Sequence, residues 1–412
     1  MKKSIKKALS ILLVLMVTTM LITGCSIEEK KLYDLMDEKS QIPVSKQYGE
    51  ITLDIEEIPV DILETMGYEY SYFFELLQNK SIYYETKQDN ETMNVDMSIY
   101  IMDIETKEKT PFISAMFDGD MVYVKIDDMV NVLLDYLTDD LSKAELIYVF
   151  DDVQYISLTT EQIMDFYLDA ISIEDESQKE MISKMMTDAL DKEIMEEKRQ
   201  ETLEFFSPLL SKIAATFNGF ETKLVTEEDN KLVVSIGVLE LLDTVNGLVQ
   251  YSIDNIDEVA ALVKEIVPAY LDFSVKQMVG ISEEEKIDME MQMDMVKYQL
   301  ITAIDVMVED IKANKELYKE IAEESINKSK GDFVSMVGNS RLNMTFEKTE
   351  DNKYITNTDL KVNADYGDDR VAFTLRVTDT LQPIESFQIT KPTENVMGYE
   401  EYLERVNSLD FY

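Results

Sequence analysis

SIYYETKQDNETMNVDMSIYIM, residues 81–102, consists of two alternating runs that flank Asp89 and Asn90. In the second run Met93, Val95, Met97, Ile99 and Ile101 occupy every other position, with polar residues between them. Successive side chains of a strand point to opposite faces, so this is the pattern of a sheet buried on one face. FISAMF and MVYVKI follow, flanking Asp118, Gly119 and Asp120. Asp-Gly between β-rich runs marks a second hairpin, because glycine tolerates the positive φ of a tight turn.

Outward from these hairpins the chain alternates between strands and helices. ITLDIEE (51–57) is a short alternating strand, and VDILETMGYEYSYFFELLQ (60–78) has a helical apolar face. DMVNVLLDYL predicts a short helix and DVQYISL (152–158) a returning strand. Thr159 and Thr160 are suited to capping the next helix, with Gln162 near the capping-box position. Residues 176–206 are helical, with Ile182, Met185, Met186, Ala189, Leu190 and Ile194 on one face. Ser207-Pro208 predicts a fresh helix start, since proline suits the first helical position. A hairpin over GFETKLVTEEDNKLVVSIGV leads to helices near 238–247 and 253–271.

A long helix is expected from about 283 to 326. Its motif IDMEMQMDM alternates like a strand, yet Ile287, Met291, Met295, Tyr298, Ile301, Ile304, Val308 and Ile311 form one helical stripe. Met and Glu favour the helix. RLNMTFEKT, KYITNTDLKVNA, VAFTLRV and PIESFQI return to β structure, and MGYEEYLERV closes with a helix. An aromatic-Glu, polar, Asp-Asn, strand pattern recurs from Tyr83, Phe220 and Phe346. It reads either as shared hairpin-tip chemistry or as a decayed duplication.

The N-terminus begins MKKSIKK, followed by the apolar run ALSILLVLMVTTMLI and then TGC. This is the layout of a secretory signal peptide, and the run is short for a spanning helix. Ile22, Thr23, Gly24 and Cys25 resemble the lipobox of bacterial lipoproteins. That resemblance implies cleavage between Gly24 and Cys25 and acylation of Cys25, the only cysteine in the chain. Acyl chains contribute about 0.8 kcal/mol per buried methylene, enough in pairs to hold a domain at a bilayer. The expected organisation is a signal peptide over 1–24, a lipidated N-terminus and polar tether over 25–48, an α+β body over 49–395 with hairpins near 80–102, 220–237 and 341–364, and a C-terminal helix over 396–412.

Composition narrows the function classes. The full chain of 412 residues has a net charge of −44, and without residues 1–24, which hold four lysines and no acid, it is −48. Such a chain disfavours nucleic acid and repels anionic headgroups, so membrane attachment is expected through the lipid. With 45% hydrophobic residues a real core is available. No histidine is present, and Cys25 is committed to lipid, so imidazole and thiolate chemistry are excluded. No cofactor or catalytic residue is expected. Asp118, Asp120, Asp127 and Asp128 lack the register of a calcium loop, so no metal site is expected. The 83 acids leave carboxylate hydrolysis formally open.

The layout over residues 50–390 is similar to that of the LolA/LppX-like lipoproteins. It implies a strongly curved antiparallel sheet, half-barrel-like, with amphipathic helices packed on one face and a lipid-binding cavity between. Met93, Met97, Met116, Met291 and Met295 are the candidate lining residues, since methionine suits adaptable apolar surfaces. Ordinary core filling is the alternative for each. The expected function is a lipid-anchored extracytoplasmic protein, on the outer face of the cell membrane, that binds a hydrophobic ligand or lipid. Alternatives are a cell-surface interaction or scaffold lipoprotein with a solid core, and a carboxylate-dependent hydrolase.

Overall fold

The computed structural model describes residues 26–58, 79–136, 140–159, 161–163, 182, 192–220, 222, 224–276, 283–337, 340–366 and 369–409. The chain divides into two compact units. One comprises residues up to 34 with 173–227 and 236–338, and is helical. The other comprises 35–172, 228–235 and 339–412, and is built on a sheet. The expected helix over 60–78 lies outside the described residues, as does most of 176–191.

Among the described residues the alternating runs become a sheet of twelve strands. They are β1 (Val44–Glu57), β2 (Lys80–Asp89), β3 (Asn94–Asp103), β4 (Lys109–Asp118), β5 (Met121–Lys125), β6 (Tyr155–Thr159), β7 (Val225–Glu228), β8 (Lys231–Gly237), β9 (Arg341–Lys348), β10 (Tyr354–Tyr366), β11 (Asp369–Pro383) and β12 (Val396–Gly398). Their order is β12-β6-β5-β4-β3-β2-β1-β11-β10-β9-β8-β7, open at both ends. The fold is therefore α+β with a mixed sheet, and not a wholly antiparallel one. PIESFQI adds no strand. Only Pro383 belongs to β11, and 384–395 run irregularly to the far edge, where β12 pairs parallel to β6.

Register sorts side chains cleanly. Ile101, Ile82, Ile51 and Val377 stand side by side across β3, β2, β1 and β11. The neighbouring row on the other face is Tyr100, Tyr83, Glu50 and Thr378. One face is apolar and the other polar, as alternation requires. Two of the expected tight turns use left-handed backbone at the named residues: Gly119 has φ 93°, and Asp229 and Asn230 have φ 49° and 64°. All three Asp-Asn echoes lie at hairpin turns, with Asn352 also left-handed at φ 58°.

The sheet unit includes α2 (Asp127–Tyr136), α3 (Asp140–Phe150) and α9 (Tyr399–Asn407). Their core joins Ile126, Val153 and Met397 to Phe150, Ile156 and Tyr402. The helical unit contains α4 (Lys192–Thr216), α5 (Val238–Asp254), α6 (Ile256–Lys276), α7 (Glu283–Ala313) and α8 (Lys315–Val337). Its core is Ile213, Phe217, Leu248, Val259 and Leu262.

Three helical expectations change. Pro208 sits inside α4 instead of starting a helix. Leu209, Ile213 and Phe217 are buried at four-residue spacing just beyond it, and this continuous stripe outweighs the lost hydrogen bond. The 283–326 helix is two helices, broken at Asn314, whose side chain donates to the Asp310 carbonyl at 3.0 Å. Residues 27–40, expected within a polar tether, form α1 (Ile27–Ser40), and β1 begins at Val44. The cause is a capping box: Ser26 N–H donates to Glu29 Oε2 at 2.9 Å, and Glu29 N–H donates to Ser26 Oγ at 3.1 Å.

Candidate functional site

In the sheet unit, the last turns of α1 lie over the apolar face at one end of the sheet. Between them is a pocket of about 430 Å³. Leu35, Met36 and Ile42 line it from above, and Phe346, Tyr354 and Leu381 from the strands. Its volume falls in the range of small-molecule sites, and most of its large side chains are apolar.

A polar cluster occupies the floor. Asp379 is buried at 8% exposure, at an apolar-face position of β11. Its Oδ1 accepts from Gln47 Nε2 at 2.7 Å and from the Tyr84 hydroxyl at 2.7 Å. Its Oδ2 accepts from Lys39 Nζ at 3.1 Å, which ties α1 to the sheet. A second tie joins Lys348 to Glu38. Burial pushes the Tyr84 phenol far above its ordinary range, and its hydrogen bond to Asp379 adds to the shift. The hydroxyl is therefore a donor at every physiological pH.

Sequence builds this cluster through one glycine. Gly49 stands opposite both Tyr84 and Asp379 in register. A Cβ there would lie 2.2 Å from the Thr378 carbonyl oxygen and 2.6 Å from the Tyr84 hydroxyl. Only glycine leaves the Tyr84 ring room to cross β1 and reach Asp379.

The methionine candidates are dispersed. Met93 is in the β2–β3 turn at φ 57°. Met97 is on the apolar face beside Thr86 and Ala115, whereas Met116 is on the other face opposite Asp96 and Tyr123. Met97 and Met116 therefore cannot line one cavity. Met291 and Met295 belong to α7 in the helical unit, exposed at 57% and 62%. None of the five lines the pocket beneath α1. The expected α7 stripe divides: Val308 and Ile311 are buried, while Ile287, Met291, Met295 and Tyr298 face solvent.

Other acids are engaged structurally. Asp118 Oδ1 accepts from the Asp120 and Met121 amides at 3.1 and 2.9 Å, and the carboxylate pairs with Lys391. Burial acts to raise the Asp118 pKa, but Lys391 and the two amides outweigh it and hold the carboxyl below its usual range. Asp127 and Asp128 pair with Lys125 at 3.2 and 2.6 Å. On the polar face, Lys109 lies 3.1 Å from the Tyr83 ring centroid, beside Glu85. Among the described residues no group of three or more metal-ligating side chains converges, and no helix is long and apolar enough to cross a membrane.

Gln47, Asp379 and Lys39 were not among the sequence candidates. One signal marked Asp379: Phe373, Leu375, Val377 and Leu381 share its parity on β11, so an acid occupies a position where alternation demands an apolar residue. No family model, no curated protein and no solved structure matches this chain.

Proposed function

We propose that this chain is a lipid-anchored extracytoplasmic binding protein, not an enzyme, and that the pocket beneath α1 holds a hydrophobic ligand or lipid. One observation carries the reading: a pocket of about 430 Å³ whose large side chains are mostly apolar, with the buried Asp379 cluster on its floor. A concave site with apolar side chains and convergent polar groups is the usual form of a small-molecule site. The lipobox-like ITGC at 22–25 supplies the anchor, with Cys25 as the acylated residue at the outer face of the cell membrane. In this reading the sheet curves as a half-barrel around its apolar face, with helices against that side.

Two measurements test it. Metabolic labelling with a clickable fatty acid should mark the protein, and Cys25→Ser should abolish the label. Native mass spectrometry of the unlabelled Cys25→Ser protein should show a copurifying or added lipid-sized ligand. Repeated absence of any such mass sinks the binding reading and leaves the anchor standing.

A scaffold role is the second reading. It is favoured by the exposed row Ile287, Met291, Met295 and Tyr298 on α7, since contiguous exposed apolar surface marks interaction sites. Crosslinking in cells from position 295 should capture a defined protein partner if this reading holds.

A further inference from the structure

The occupant of the α1 pocket, on the reading above, is constrained by size, charge and hydrogen bonding together. At about 430 Å³ the pocket is at the small end of ligand sites, which favours a single acyl chain with its head over the two chains of a diacyl lipid.

Charge is already balanced around the walls. Lys39 is paired with Asp379, Lys348 with Glu38, and Lys231 with Glu347 at 2.9 Å. An ionised head group entering this pocket would leave water without meeting a free counter-charge, which is costly. An uncharged head meets no such penalty.

Hydrogen bonding is balanced but not exhausted. A carboxylate offers about four lone-pair sites and an ammonium three protons. Asp379 receives three bonds, from Gln47, Tyr84 and Lys39, and the bond from Lys39 uses one of its protons. A hydroxyl both accepts and donates, so it can take a proton from Lys39 and give one to Asp379 at the same point.

We infer that the pocket is specific for a single-chain amphiphile with an uncharged hydroxyl head, of the monoacylglycerol or fatty-alcohol class. This inference rests on the pocket being a ligand site. The test separates failure of the two statements.

The chain contains no tryptophan, so Phe346→Trp places a lone indole in the pocket wall, and Leu35→Trp places one in its roof. Both are made in the whole mature chain, positions 25–412, with Cys25→Ser. Each is titrated with chain-brominated monoacylglycerol, fatty acid and diacylglycerol, with Tyr148→Trp on α3, exposed beside the β6–β12 edge of the same unit, as the control. The expected result is saturable quenching by the monoacylglycerol, at least about tenfold weaker binding of the fatty acid, and none of the diacylglycerol. The α3 indole stays bright. Lys39→Met should weaken the monoacylglycerol severalfold while leaving the circular dichroism of the sheet unchanged. Equal or tighter binding of the fatty acid, or any saturable binding of the diacylglycerol, overturns the assignment of class while the pocket stands as a ligand site. Quenching by none of the three at either position removes the pocket reading itself.

Discussion

The end of α1 and the helices α4 to α6 are held by opposite means. α4, α5 and α6 meet through Ile213, Phe217, Leu248, Val259 and Leu262, all buried. The last turns of α1 meet the sheet through Lys39–Asp379 and Glu38–Lys348, over a pocket and not over a filled core. Met36, on that part of the helix, is 54% exposed. Apolar packing is strong and tolerates no solvent. Polar ties over a void are weaker, directional and reversible. The first arrangement suits a scaffold, and the second suits a cover that has to admit something.

The largest blow to this contrast should come from the packed side. Phe217→Ala, at a residue 1% exposed, should cost about 3–5 kcal/mol in chemical denaturation. The loss should fall on the helical unit, with β1–β2 amide exchange unchanged. Gly49→Ala should rank next. Overpacking costs about 1–3 kcal/mol, and the tyrosinate titration should show Tyr84 ionising earlier once displaced from Asp379. Lys39→Met should be milder, about 1 kcal/mol. Its signature is local: faster amide exchange at residues 35–40, with the strands still protected. If global stability falls as far as with Phe217→Ala, the contrast between cover and core is wrong.

Two smaller effects complete the series. Asp118 has a lowered folded-state pKa. Its contribution is therefore present above the unfolded aspartate value and is lost as pH falls through the folded one. Lys391→Met should shrink that acid limb of the stability curve and leave neutral pH nearly unchanged. Lys31→Ala removes an exposed pair with Glu227 and should leave the melting temperature where it was.

The same contrast explains what was legible in the sequence. Strands β2 to β5 and β9 to β11 follow from two-residue alternation, because a one-residue slip would put their apolar side chains in water. Helix boundaries were harder. Pro208 looked like a start, since nothing local shows that Leu209, Ile213 and Phe217 continue one buried stripe. The α7 pattern looked like a single buried face, but Ile287 to Tyr298 and Val308 to Ile311 drift to different sides of the helix. The parallel β12 could not be foreseen, because three residues, Val396–Gly398, carry too little pattern. The site was hidden for a different reason. Lys39, Gln47, Tyr84 and Asp379 come from a helix and three strands, and only register brings them together. Two marks were readable all the same: the acid at an apolar position of β11, and Ser26-x-x-Glu29, which announces a helix inside a segment rich in charge.

That last mark has a mechanical consequence. A helix that starts at Ile27 leaves one residue, Ser26, between it and position 25. On the proposed acylation of Cys25, the protein is moored without slack. Fourteen helical residues rise about 20 Å, so the pocket beside Ser40 is no more than about that length of helix from the anchor. A flexible leash would let the body tumble and meet ligands from any direction. A stiff mast lets it pivot only about its foot, so exchange between bilayer and pocket becomes a matter of tilt. Inserting a glycine-serine spacer after Ser26 should then change the rate of ligand uptake from vesicles while leaving affinity in solution untouched.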